Sequence, residues 1–162
     1  MTRVVITGMG WITPLGNDLT TVWDRMCKGE SGIATIDRFE AANFPTTFAG
    51  QVRDFDWMQH VQDHSAHHSP APNSQYALGA AKQAWEQAGL REYNNLNHDR
   101  AGIYLGAGEG VLDFKVYSNI TTEMWEDEAS KVDTVGWARL ASEQLDKWGE
   151  IEQEPNVPLW HI

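Results

Sequence analysis

The chain has 162 residues, 41% hydrophobic and 22% charged, the balance of a soluble globular domain with a core of its own. Twelve Lys and Arg stand against 23 Asp and Glu, and the net charge of −11 excludes a general nucleic-acid footprint and disfavours an anionic membrane surface. The single cysteine, Cys27, excludes an internal disulfide, and no apolar run approaches the ~20 residues of a membrane span.

Nothing at the start resembles a signal peptide, so a cytoplasmic, reducing location is expected. Eight tryptophans imply either a bulky core or apolar surface offered to a partner.

Arg3 to Thr7 is a short β-branched run closed by Gly8 and predicts a strand buried on both faces. After the loop from Gly8 to Gly16, Asn17 or Asp18 caps a helix reaching about Lys28, with Val22, Trp23 and Met26 on one face and Gly29 at its end. Residues 30–48 read as irregular and Ala49 to Val52 as a short strand. The stretch 56–72 is rich in His, Ser and Pro, and Pro70 and Pro72 block helix continuation there. Asn73 then caps the strongest helix, Ser74 to Ala88, whose apolar side (Tyr76, Ala77, Ala80, Ala81, Ala84, Trp85, Ala88) is rich in alanine and calls for close packing.

Ala101 to Leu105 predicts a second buried strand, ending in Gly106-Ala107-Gly108-Glu109-Gly110. One helix is expected from near Val111 and another over Val135 to Trp148. The acidic runs Glu123–Glu128 and Glu150–Glu154 read as solvated faces. The tail ends on Leu159-Trp160-His161-Ile162 without a stop signal and reads as an interruption. Strands alternating with helices define an α/β layered class, with too few strands for a complete sheet.

Gly8-Met9-Gly10 follows a strand, as a dinucleotide fingerprint does, but Thr13 stands where the third glycine belongs and Pro14 follows; a structural tight turn is the better account. The run from Arg3 through Gly8-Met9-Gly10-Trp11-Ile12-Thr13-Pro14-Leu15-Gly16 resembles the opening of elongating β-ketoacyl-ACP synthases, condensing enzymes of the thiolase-like fold. Further blocks follow in the same order: Ser31-Gly32-Ile33, Arg38-Phe39, Phe44-Pro45, Ala49-Gly50-Gln51-Val52, Asp54-Phe55-Asp56, Gln75-Tyr76-Ala77-Leu78, Ala88-Gly89-Leu90 and Gly102 to Gly108. The likeness covers roughly residues 2–112 and fades beyond, apart from a loose likeness at Pro155-Asn156-Val157-Pro158.

That resemblance implies a layered αβαβα fold, of which residues 1–162 form a partial N-terminal half, and a homodimeric parent. It implies decarboxylative condensation of acyl and malonyl thioesters on acyl carrier protein. A cysteine thiolate, two histidines, a lysine and backbone N–H groups carry that chemistry. All lie further along than Ile162, so no catalytic residue is expected in this chain. The fragment alone is expected to be inactive, and no cofactor or metal is implied. Cys27, at a helix C-terminus, reads as structural or incidental.

Two departures from the family bear on the site. His60, His64, His67 and His68 have i, i+4, i+7, i+8 spacing, which on a helix would form a metal-binding face, but Pro70 and the serines point to a loop. In relatives this segment carries Lys and Arg that dock the acidic carrier protein; here His64, His67, His68 and Ser69 replace them, implying weaker docking or the use of other residues. The second is Gly108-Glu109-Gly110, where the family places an apolar side chain against the acyl chain. Glu109 either points away from the pocket, or the enzyme handles a polar, short or unusual acyl chain. Two other functions stay open: a non-catalytic partner like the chain-length factors, and a small stand-alone binding protein on the same fold.

Overall fold

A computed structural model describes residues 3–68, 70–108 and 112–162. They divide into two compact units: one contains the chain up to Gln62 with Tyr76–Gly102 and Ile162, the other Asp63–Gln75 with Ile103–His161.

The first unit opens with Thr13 and Gly16 exchanging both backbone hydrogen bonds (2.9 and 3.0 Å) around Pro14-Leu15. Helix α1 (Leu19–Cys27) starts where the Asp18 carboxylate accepts the Thr21 N–H. It ends in a Schellman motif, with Gly29 at φ +69° and the Glu30 N–H returning to the Arg25 carbonyl. Of its expected apolar face only Val22 is buried; Trp23 and Met26 are more than half exposed. Strands β1 (Ile33–Thr35) and β2 (Phe48–Gly50) pair antiparallel with Ala34 opposite Ala49, so the region read as irregular holds a strand. Arg53 ties this hairpin to the following loop by donating to Asp37 and to the Thr35 carbonyl.

Helix α2 (Pro72–Gln87) begins earlier than the expected Asn73 cap. Proline suits the first turn, whose N–H groups have no helical partner to lose. Its far end is a second Schellman motif around Gly89, φ +68°, with the Leu90 N–H on the Trp85 carbonyl.

The second unit is built from short helices capped by aspartates. Helix α3 (Phe114–Glu123) is capped by Asp113, and the hairpin β3 (Trp125–Glu126) and β4 (Lys131–Val132) follows. Helix α4 (Thr134–Gln144) is capped by Asp133 and α5 (Lys147–Ile151) by Asp146. Helix α6 (Val157–His161) comes last. Ile120 is fully buried in α3, and the Trp137 indole donates to the next residue, Thr121 (3.1 Å).

Several expectations are corrected. Arg3–Thr7 and Ala101–Leu105 are not buried strands here. Val4 is 91% and Ile6 82% exposed, Tyr104 is fully exposed, and no described residue forms a ladder with either run. A strand forms only against a neighbour, and these two have none in the described chain. The single helix expected over 135–148 is two, because Leu145 turns extended and the Asp146 carboxylate takes the Gly149 N–H (2.7 Å), restarting the helix. The helix expected from near Val111 is capped at Asp113 and starts at Phe114. The run Glu150–Glu154 is not uniformly solvated: Glu152 is only 4% exposed.

Candidate functional site

In the first unit the resembling blocks meet one another. The backbone at Gly8 and Gly10 lies directly on α2: a Cβ on either would collide with the carbonyl oxygen of Ala84 or of Ala80. This is close approach rather than the expected tight turn, and it explains the alanine side of α2. Gln87 and Gln83 on that helix accept the N–H groups of Met9 (2.7 Å) and Trp11 (3.0 Å), while Gln83 also donates to the Asn17 carbonyl (2.7 Å). The strip is thus held by side-chain amides that replace a strand partner. Gly32 and Gly50 pack on Pro14, and Gly79 on Phe55 and Ile12. Arg38 donates to the Val52 carbonyl and the Tyr76 hydroxyl (3.0 and 2.8 Å). An apolar cavity of about 390 Å³ lies between the Thr13–Gly16 turn, α1 and the β1–β2 hairpin, lined by residues that include Trp11, Leu15, Met26 and Ile33.

The histidine segment is not one helix face. Trp57–His60 and His64–Ala66 are separate 3₁₀ turns capped by Asp56 and Asp63, with Val61 extended after the first. In its own unit His60 stacks on Phe55, and burial, then the charge of Lys82, lowers its pKa. In the second unit His64 is exposed, His68 stacks on Trp148 (4.4 Å between centroids), and half-buried His67 meets His161. Among the described residues no group of three or more His, Cys, Asp or Glu is placed to hold a metal ion. Gly108 is exposed, with open space around its Cβ position. Glu109 and Gly110 lie outside the described residues, as does Ser69.

The second unit also has a buried polar centre, among residues not expected to form a site. Glu152 Oε1 lies 2.6 Å from His161 Nε2, and its Oε2 accepts from the Ala71 N–H (3.0 Å) and the Ser74 hydroxyl (3.3 Å). The side chains of His161 and Glu152 are 0% and 5% exposed. Serine, histidine and carboxylate here do not form a hydrolytic triad. Ser74 donates to the carboxylate rather than to the imidazole, and it is fully buried. The group is a clamp that joins the N-terminus of α2 to α5 and α6. Its sequence signal was the i, i+1, i+4 placement of Val157, Pro158 and His161, all buried on one face of α6. On the same unit Tyr117 donates to Glu150 (2.8 Å), and that bond raises the phenol's pKa.

Residues 1–141 match the β-ketoacyl synthase N-terminal domain. A 3-oxoacyl-[acyl-carrier-protein] synthase 2 of Coxiella burnetii is 44% identical over 110 residues, covering 68% of this chain and 26% of that protein. The chloroplastic synthase I of Hordeum vulgare is 41% identical over 114 residues, 68% of this chain and 24% of its own length. Among solved structures, the ishigamide ketosynthase/chain length factor superposes with a TM-score of 0.51 at 22% identity, over 86% of this chain and 36% of that one. The chain belongs to the β-ketoacyl synthase family through its N-terminal domain. It spans about a quarter of the length of the curated relatives it matches.

Proposed function

We propose that this chain is the N-terminal part of a 3-oxoacyl-[acyl-carrier-protein] synthase acting in fatty acid or polyketide synthesis. The reaction moves an acyl chain from acyl carrier protein to a cysteine thiolate. Malonyl-carrier protein then loses CO₂, and the carbanion left behind attacks the thioester. The observation that carries this reading is the interlocking of the matched blocks: Gly8 and Gly10 seated on Ala84 and Ala80, with Gln83 and Gln87 holding the strip. Residues that resemble the family one block at a time also depend on one another in space.

On this reading the chain supplies scaffold rather than chemistry. The exposed runs Arg3–Thr7 and Ala101–Leu105 serve as strands of the αβαβα sandwich when the remaining polypeptide lies beside them, and two copies pair as a homodimer. Gly108-Glu109-Gly110 borders the acyl chain, and the segment with His64, His67 and His68 faces the carrier protein.

The test is to read the codons after Ile162 and assay the protein they encode. The expected result is a cysteine in the family's nucleophile motif and formation of 3-oxoacyl-carrier protein from acyl and malonyl-carrier protein. An uninterrupted frame without that cysteine would replace the enzyme by a chain-length-factor-like partner. A stop codon, with cooperative unfolding of the 162-residue chain, would replace it by a stand-alone binding protein.

A further inference from the structure

The second unit holds a pair of titratable side chains whose contact depends on how many protons the pair carries. Nδ1 of His67 and Nδ1 of His161 are 2.9 Å apart, a hydrogen bond that needs one N–H and one lone pair. The other nitrogen of His161, 2.6 Å from Glu152 Oε1, carries a proton when that carboxylate is ionised. Two arrangements then satisfy the bond. In one, His67 donates from Nδ1 and His161 accepts; in the other, His161 is an imidazolium that donates to His67. Both leave the pair with no more than one positive charge. With both rings charged, each Nδ1 bears hydrogen, no acceptor remains, and two like charges sit at contact distance.

We propose that the His67–His161 contact is a pH-gated latch between the 64–68 segment and α6, closed with at most one ring charge and released by the second. The groups facing His67 include Asp63 and His64 on its own segment, Glu152 at the end of α5 and His161 on α6. The two carboxylates favour a charge on His67; the two imidazoles oppose it. Burial of the ring opposes it most, followed by His161, and the balance lowers the pKa of His67 from its ordinary 6.5. His161 is enclosed and gripped by Glu152, whereas His64 and His68 on either side of His67 are exposed. Release is read on the 64–68 segment, and the His68–Trp148 stack goes with it.

The test is nuclear magnetic resonance on the intact ¹⁵N-labelled chain between pH 8 and pH 5, following the imidazole nitrogens and the backbone amides together. The expected result is a last ring-proton uptake with its midpoint below 6.5, and amide shifts in both 64–68 and 157–161 at that same midpoint. His67→Gln, which can hydrogen-bond but takes no charge, is expected to abolish the acid step in the 157–161 amides. Uptake of both charges with the amides of 157–161 unmoved would overturn the latch. So would a His67 midpoint at or above the ordinary value, or a second acid step in the 157–161 amides that survives His67→Gln. Should that variant not fold, the ring and amide titrations of the unaltered chain decide the question alone.

Discussion

The carbonyl oxygen of Ala80 occupies the position that a Cβ on Gly10 would need. Nothing flexible stands between them, because both partners are backbone and one is fixed in a helix. Gly10→Ala is therefore expected to push the 8–11 strip off α2 and to destabilise the chain by about 1–3 kcal/mol, the range of overpacked sites. Gly102→Ala is the control, since nothing lies within 4 Å of its Cβ position. It should stay within ~0.5 kcal/mol of the parent. Urea unfolding of the two variants side by side makes the comparison, and equal midpoints would refute the close-approach account.

Gln83 bonds in two directions, accepting from Trp11 N–H and donating to the Asn17 carbonyl. Gln83→Leu keeps the bulk and removes both bonds, leaving two part-buried backbone groups without their partner. A loss of about 1–3 kcal/mol is expected. Hydrogen exchange at the Trp11 amide should rise with it, and an unchanged exchange rate would mean that Gln83 does not hold the strip.

Much of the first unit is legible in the sequence, because its signals are local. The cap at Asn17 or Asp18, the glycine ends at Gly29 and Gly89 and the alanine side of the long helix each announce themselves within one or two turns. What failed were inferences that need a partner. Val4 and Ile6 have the composition of a buried strand, but composition does not supply the neighbour a ladder requires, and they stand exposed. Glu152 failed for the opposite reason. Its acidic neighbours masked it, and only the fold brings Ala71, Ser74 and His161 around its carboxylate. Of the candidate site, the histidine segment was visible as a cluster but not as two separate turns. The spacing of a helix face is broken where Val61 turns extended and Asp63 caps a new turn.

Asp18 links helix α1 to pH. Its bond from the Thr21 backbone N–H is the main cause that holds its pKa below the ordinary 3.8. A carboxylate with a depressed folded value stabilises fully above its unfolded value, and that contribution is lost as the pH falls from about there through the folded value. Asp18→Ala should cost about 1 kcal/mol at neutral pH, as other cap deletions do. Asp18→Asn keeps an acceptor without the charge. It should cost less at neutral pH and lose less below pH 3.8 than the parent, as read by circular dichroism against pH.

Removing the Glu152 carboxylate should be the most damaging single change in the second unit. Glu152→Ala strips the acceptor from the Ala71 N–H, the Ser74 hydroxyl and His161 at once, in a site only 4% exposed. A loss of about 3–5 kcal/mol is expected, a large part of the stability of an ordinary domain. Glu152→Gln retains one acceptor oxygen and should cost roughly half as much, because imidazole can change tautomer to meet the amide. Thermal unfolding followed by the tryptophan signal ranks the two, and midpoints for both variants equal to the parent's would show that the clamp carries no weight.

Given the proposed condensing activity, Glu109 bears on the choice of acyl chain. An ionised carboxylate beside a lipid tail loses hydration that an alkyl chain cannot replace, a penalty of several kcal/mol without a partner. If Glu109 borders the pocket, short or polar acyl groups that leave room for water are favoured. Glu109→Ile in the full-length enzyme should then shift the kcat/KM profile toward longer chains by roughly tenfold per ~1.4 kcal/mol of penalty removed. A profile of acyl-carrier substrates that is the same with Glu109 and with Glu109→Ile would place the carboxylate away from the pocket.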